Sequence, residues 1–289
     1  MKILVPNFES PILQDIAQSL ESIKGRANIQ PLLWNVQHKP IVDVFDEVSP
    51  DLVFLHASQL DIAFEIICQE FDFKYILITE NLPEKIPKIP NAVITTAQFK
   101  NNFPPNLPLV EMKSHAHVAQ IHSANYEEGM ESDVLVNSSG IKIDQNILQM
   151  LSLLTSKYRT KIIGDSKVGL HHYLGSVNIF ERGNFIKSSK VVVDLTGYDC
   201  WDAAYLKVAP LCGTSPHPSI RNFTDLNSLA FNIDMLLKDE GERSKYVDEC
   251  YKETWNGNTC YHTAIEIFNK IKEPVIAQHF MDHMEELMV

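Results

Sequence analysis

The chain has 289 residues, 45% of them hydrophobic and 21% charged, with a formal net charge of −12. Such a composition excludes intrinsic disorder, the length suits two domains better than one small core, and the acidity opposes indiscriminate nucleic-acid binding. No stretch approaches the roughly 18 consecutive apolar residues of a membrane span, and five cysteines without CxxC spacing imply reduced thiols in a cytoplasmic protein.

The first half alternates strand and helix. "KILVPN" reads as a strand, too short in its apolar run for a secretory signal, and "SPILQDIAQSLESIKG" as an amphipathic helix stopped by Gly25. "IQPLLW" and "DLVFLHA" are further strands, and "SQLDIAFEIICQEF" is a helix with Ser58 as its N-cap. "KYILITE", "NAVITT" and "LPLVEM" supply three more strands among proline-rich turns. Apolar strands without period-two alternation, interleaved with helices, predict parallel sheets covered on both faces.

Lys113 to Asp133 has no strong apolar period and reads as the connection between domains. Domains are therefore expected at 1–125 and 126–289. The second series runs through a strand and turn "DVLVNSSG", a helix capped by Asp144, a strand "TKIIGD", a helix-like "IFERGNFIKSS", a strand "SKVVVDL" and an apolar step from Val208 to Cys212. The remainder is helical, and its last helices are expected to cross back and brace the first domain.

Ligands of open parallel sheets sit outside the carboxyl ends of the strands, where loops lead into helix N-termini. Four such ends in the second half carry suitable residues. Ser138-Ser139-Gly140 could cradle a phosphate, with Gly164 and Ser166 offering a second turn of the same character. Val177 lies in a turn able to meet the edge of a base. Gly197-Tyr198-Asp199 leads to Asp202, whose carboxylate could accept bonds from ribose hydroxyls. Asp199 also reads as the N-cap of that helix, Asp202 as an acid favouring its dipole, and Tyr198 and Trp201 equally as core or ligand wall. His115 and His117, or His171 and His172, could ligate a metal but lack a third ligand at a diagnostic spacing. His56 reads as a core or capping histidine at a strand end, and His279 and His283 as a surface stripe.

The strand "SKVVVDL" followed by "WDAAYLKVAPL" resembles the second domain of GT-B glycosyltransferases, in which an acidic helix residue grips the ribose of a nucleotide sugar. Asp202 falls on that position. "NTCYHTAIEIFNKI" resembles a late helix of spore-maturation-type members. In the first half, "VFLHAS" and "KYILITENLPEKIPKIPNAVITT" resemble the DNA glucosyltransferases of T-even phages, where a strand-end acid is the general base; Glu80 falls on it. The resemblance implies two Rossmann-like domains around a cleft, 1–125 presenting the acceptor and 126–289 binding a UDP-sugar donor. It also implies transfer to a hydroxyl, with hydroxymethylated pyrimidine in double-stranded phage DNA as acceptor.

The pattern departs in places. Lys207 stands where the family's glycine is usual, and Asp199 where the phage enzymes have a phosphate-binding arginine. Diphosphate would then rest on backbone amides, helix dipoles, Lys142, Lys207 or a divalent metal. Between Lys85 and His122, Lys85, Lys88, Lys100 and Lys113 face a single acid, Glu111, and DNA binding requires these lysines to share one face with Glu80. No Asp-x-Asp, GxGxxG or P-loop pattern occurs. A non-catalytic protein that kept the pocket and lost the chemistry is the rival reading, and a sugar-nucleotide epimerase on the same fold a third.

Overall fold

The computed structural model describes residues 1–6, 11–26, 28–84, 86–165, 172–197, 199–214 and 216–288. Of the residues singled out above, Lys85, Ser166, His171 and Tyr198 lie outside that set. In chain order the elements are β1 (Lys2–Pro6), α1 (Pro11–Ile23), β2 (Gln30–Trp34), α2 (Ile41–Val48), β3 (Leu52–His56), α3 (Ile62–Glu70), β4 (Lys74–Ile78), β5 (Ala92–Thr96) and β6 (Leu109–Met112). There follow α4 (Val118–Ile121), β7 (Ser132–Asn137), α5 (Gln145–Lys157), β8 (Thr160–Ile163), α6 (Ile179–Lys187), β9 (Ser189–Asp194), α7 (Cys200–Tyr205), β10 (Ala209–Cys212), α8 (Leu226–Lys238) and α9 (Glu240–Trp255). The last two are α10 (Cys260–Lys270) and α11 (Pro274–Met288).

These elements form two compact units, residues 1–113 with 260–289 and residues 114–259. The sequence boundary at 125/126 thus moves to 113/114, and the final helices leave the second half for the first. The reason is packing. Residues 114–125, read as a connection, place α4 on α6 and α7, and Gly183 of α6 lets Ala124 approach to 3.0 Å from where a Cβ would stand. In the other unit α10 packs on α1 and β6, Lys74 at the start of β4 pairs with Glu273 at 2.5 Å, and Arg26 pairs with Glu286 of α11.

The first unit holds a six-stranded parallel sheet in the order β2-β1-β3-β4-β5-β6. Its central strands β3 and β4 are buried at four of their five residues each, as continuous apolar runs covered on both faces require. One face is filled by Phe45, Phe64, Phe73 and Tyr75, with Phe45 meeting Phe73 edge to face at 4.8 Å and Phe64 meeting Tyr75 at 5.2 Å. Ser58 does not cap α3; Asp61 does, accepting from the Phe64 N–H at 3.0 Å. His56 instead closes the preceding turn through its Nδ1, 2.8 Å from the Ser58 hydroxyl.

The second unit holds a four-stranded parallel sheet in the order β10-β9-β7-β8. The chain runs from β7 to β8 on one side, then crosses to β9 and β10 on the other. Its topological switch point therefore lies between β7 and β9, where Asn137 and Asp194, the last residues of the two strands, stand in register. Asp144 caps α5 as its sequence implies, accepting from the Ile147 N–H at 2.9 Å.

Candidate functional site

The carboxyl edge of the second sheet is built around Asp194. Its strand buries it completely, and the chain then turns so that five donors converge on the carboxylate. Oδ1 accepts from the Thr196 N–H, the Thr196 hydroxyl and the Gly197 N–H, each at 2.9 Å. Oδ2 accepts from the Asp199 N–H at 2.6 Å and the Cys200 N–H at 2.9 Å. Burial pushes this carboxyl's pKa up and the charge of Asp199 adds to it, against the donors of Thr196 and Gly197. The strand's own last residue thus caps α7. Asp199 occupies the N-cap position without a side-chain cap bond, so its expected capping role passes to Asp194.

Asp199 and Asp202 face inward instead. Asp199 accepts from the Asn137 side-chain amide and pairs with Arg182 of α6 at 3.1 Å. Asp202 has no exposed surface. One oxygen accepts from the His117 N–H at 2.7 Å, both lie 3.1 Å from His117 Nδ1, and the other accepts from Arg182 Nη2 at 2.8 Å. Burial pushes the Asp202 carboxyl up, yet the charges of His117 and Arg182 and the bonds from His117 outweigh it and hold the carboxyl below its ordinary range. The ribose-binding carboxylate expected at Asp202 is in this structure an internal anchor, because its complete burial leaves no surface for a ligand hydroxyl to reach. Arg182, His117, Asn137 and Asp194 were not among the residues expected at the site.

The phosphate cradle expected at Ser138-Ser139-Gly140 is altered in the same way. The Ser138 N–H and hydroxyl both donate to the Ile163 carbonyl, at 2.8 and 3.0 Å. The Ser139 N–H donates to Asn137 Oδ1 and the Gly140 N–H to Asp165 Oδ1, each at 2.9 Å. What this turn offers outward is the exposed Ser139, Gly140 and, in the loop before α5, Lys142. Gly164 serves contact rather than a ligand: with φ +140°, a Cβ there would lie 2.5 Å from Ser138 Oγ and 2.7 Å from the Ser139 nitrogen. Only glycine lets the β7 and β8 turns touch.

Residues 172–175 run beside β8, with the Gly164 N–H donating to the Gly175 carbonyl at 3.0 Å and the Tyr173 hydroxyl to the Gly164 carbonyl at 2.6 Å. This segment leads half-buried Val177 into the start of α6. Gly197 is buried with φ +84°, and a Cβ on it would stand 2.9 Å from the Thr214 carbonyl. Its own carbonyl accepts from the Ser114 hydroxyl at 2.8 Å. The structure thus gathers Ser138, Ser139, Gly140, Gly164, Gly197, Asp199 and Asp202 around one switch point.

Lys207 is not part of that edge. It follows α7 on the way to the amino end of β10, with its ammonium 4.6 Å from the Tyr251 ring centroid. Asp194, Cys200 and Cys212 come close enough to suggest a metal site, but the Asp194 oxygens are occupied by five donors and burial pushes the Cys200 thiol far up. That donor set does not fit a cation.

In the first unit Glu80 is exposed, two residues past the carboxyl end of β4. Lys88 donates to the Phe73 carbonyl at 2.7 Å, just before β4 begins, which puts its ammonium at the amino edge. Lys100 and Lys113 follow the carboxyl ends of β5 and β6. Lys100 and Lys113 thus share the carboxyl edge with Glu80 but Lys88 does not, so the described lysines do not all line one face, and nothing in the fold supports the double-stranded DNA partner. No described helix is long and apolar enough to cross a membrane.

No protein-family model matches the chain, and no curated protein matches it in sequence. Solved structures do match. A glycosyltransferase from Rickettsia africae superposes with a TM-score of 0.63 at 12% identity, over 95% of this chain and 98% of that one. The Anabaena protein HepE, in complex with UDP and glucose, gives 0.60 at 11%, over 94% and 99%. A UDP-GlcNAc 2-epimerase from Neisseria meningitidis, bound to UDP-GlcNAc, gives 0.58 at 12%, over 93% and 100%. At these identities the likeness is one of fold, and the two parallel-sheet units have the GT-B architecture.

Proposed function

We propose that the chain binds a UDP-sugar at the switch point of the second unit and transfers the sugar to a hydroxyl acceptor. One observation carries the reading. The β7, β8 and β9 ends, joined by Asn137, Gly164 and Asp194, form a fixed turn assembly where open parallel sheets take their ligands, within a fold shared with structures that hold UDP-GlcNAc or UDP with glucose. The diphosphate would meet the exposed side chains of Ser139 and Lys142 beside the Gly140 turn, and the base the Val177 turn. Asp194, Asp199 and Asp202 act behind this surface as positioning residues. Glu80 would accept the acceptor's proton as its oxygen attacks the anomeric carbon and UDP departs, a general-base contribution of about 10²–10⁴-fold.

The test is thermal melting with UDP, UDP-glucose, UDP-GlcNAc and non-uridine nucleotides. A ligand at about 100 times its Kd stabilises by ~2.7 kcal/mol, so a uridine-selective rise is expected, reduced in Lys142→Ala. Glu80→Gln should keep the rise and lose transfer. Absence of any nucleotide shift overturns the reading, and a shift without turnover of any donor leaves a non-catalytic binder. The Neisseria likeness favours a second reading, epimerisation; conversion of UDP-GlcNAc at C2 without an acceptor would establish that chemistry instead.

A further inference from the structure

The first unit carries a cavity that the proposed donor site does not use. It has a volume of about 620 Å³ and is lined by β6, the edge strand of the six-stranded sheet, by the loop before it and by α10. Its inner wall includes Thr95 of β5 and, opposite it in register, Glu111 of β6. Its rim carries Lys100, Lys113, Lys270 and Lys272.

Two observations point to a ligand. Thr95 is 3% exposed, and its hydroxyl is buried without a hydrogen-bond partner among the described residues. A buried hydroxyl with no partner is costly where valine would have the same shape, and Thr95 is one of the residues lining the cavity. The second observation is charge. In a chain with 37 acids and 25 bases, this wall inverts the balance, setting four lysines against Glu111 and Glu266. Lys100 Nζ is 3.3 Å from Glu111; Lys113, Lys270 and Lys272 have no ion-pair partner among the described residues.

The lining also limits the class of ligand. It contains no aromatic ring, so it lacks the stacking platform on which single-stranded nucleic acid binds. Asn106, Asn269 and Glu266 add amide and carboxylate groups, which suit sugar hydroxyls, while ammonium groups suit a phosphate as point charges. The volume lies within the range of small-molecule sites and far exceeds an inorganic anion. We propose that this cavity binds a phosphorylated carbohydrate, at a site separate from the UDP-sugar site and independent of it.

Calorimetric titration of the full chain tests this with glucose 6-phosphate as probe, beside glucose, inorganic phosphate and UMP. Glucose 6-phosphate should bind at least about tenfold more tightly than each control. The double substitution Lys113→Ala, Lys270→Ala, at two exposed positions, should weaken it about tenfold while leaving the UDP melting shift intact. Thr95→Val should weaken it without lowering the melting temperature of the free protein, which separates a ligand contact from a structural one. No heat up to about 10 mM probe, equal binding of inorganic phosphate, or affinity unchanged in the double variant would each overturn the proposal and leave the lysines as charges that blunt an exposed strand edge.

Discussion

Asp202 and Asp194 sit within one turn of chain yet respond to pH in opposite senses. The Asp202 pKa is depressed in the fold, so its contribution is complete above the ordinary aspartate range, about pH 4, and is lost as pH falls through the folded value. The Asp194 pKa is raised, so its contribution is complete below about pH 4 and is lost as pH rises through its folded value. Asp202→Asn removes the first and keeps the second. At pH 7 the variant should be less stable by roughly 3–5 kcal/mol, the scale for breaking a buried ion pair. Below about pH 4 the gap to the parent chain should narrow. Melts from pH 3 to 7 check this, and curves that stay parallel throughout would show that Asp202 is not what the acid protonates.

At the scale of elements, the contact between the turns that follow β7 and β8 rests on a single missing methyl group. Gly164→Ala meets both a positive φ and a Cβ within 2.5 Å of Ser138 Oγ, and should cost about 2–3 kcal/mol, a melting fall of roughly 5–10 °C, with loss of any nucleotide shift. Gly140→Ala, at φ +69° with nothing within 4 Å, pays only the left-handed penalty of about 1 kcal/mol. Equal falls would mean that turn contact is not what Gly164 provides.

The strands on either side of these glycines were legible because a buried run ending in glycine or serine is a local signal. "DVLVNSSG", "TKIIGD" and "SKVVVDL" became β7, β8 and β9. The partners of Asp202 were not legible. His117 lies 85 residues away, marked in sequence only as half of a His-x-His pair, and Arg182 lies 20 away in no pattern that spacing can detect. Asp194 was visible only as the end of a strand, since a carboxylate that caps the following helix and one that faces a ligand look alike in sequence.

For the whole molecule, the return of residues 260–289 to the first unit makes a prediction about fragments. Residues 114–259 form a contiguous unit with their own sheet, and expressed alone they should melt cooperatively. Residues 1–113 alone should not, because Ile267, Phe268 and Phe280, all buried against that unit, would be missing. Near-ultraviolet circular dichroism on both fragments checks this, and adding a peptide of residues 260–289 to the second should restore its signal. A cooperative melt of 1–113 by itself would reduce α10 and α11 to accessories.

That interrupted connectivity also sets an order of events during vectorial synthesis. Domains generally fold as units while the chain emerges from the ribosome, at roughly 5–20 residues per second. The six strands of the first sheet are made first, but their unit is incomplete until its final helices are translated. The second unit has all its residues once position 259 is out. The half of the protein that starts later is therefore the half that can finish earlier, and the first sheet must spend the intervening seconds with α10 and α11 absent from β6 and α1.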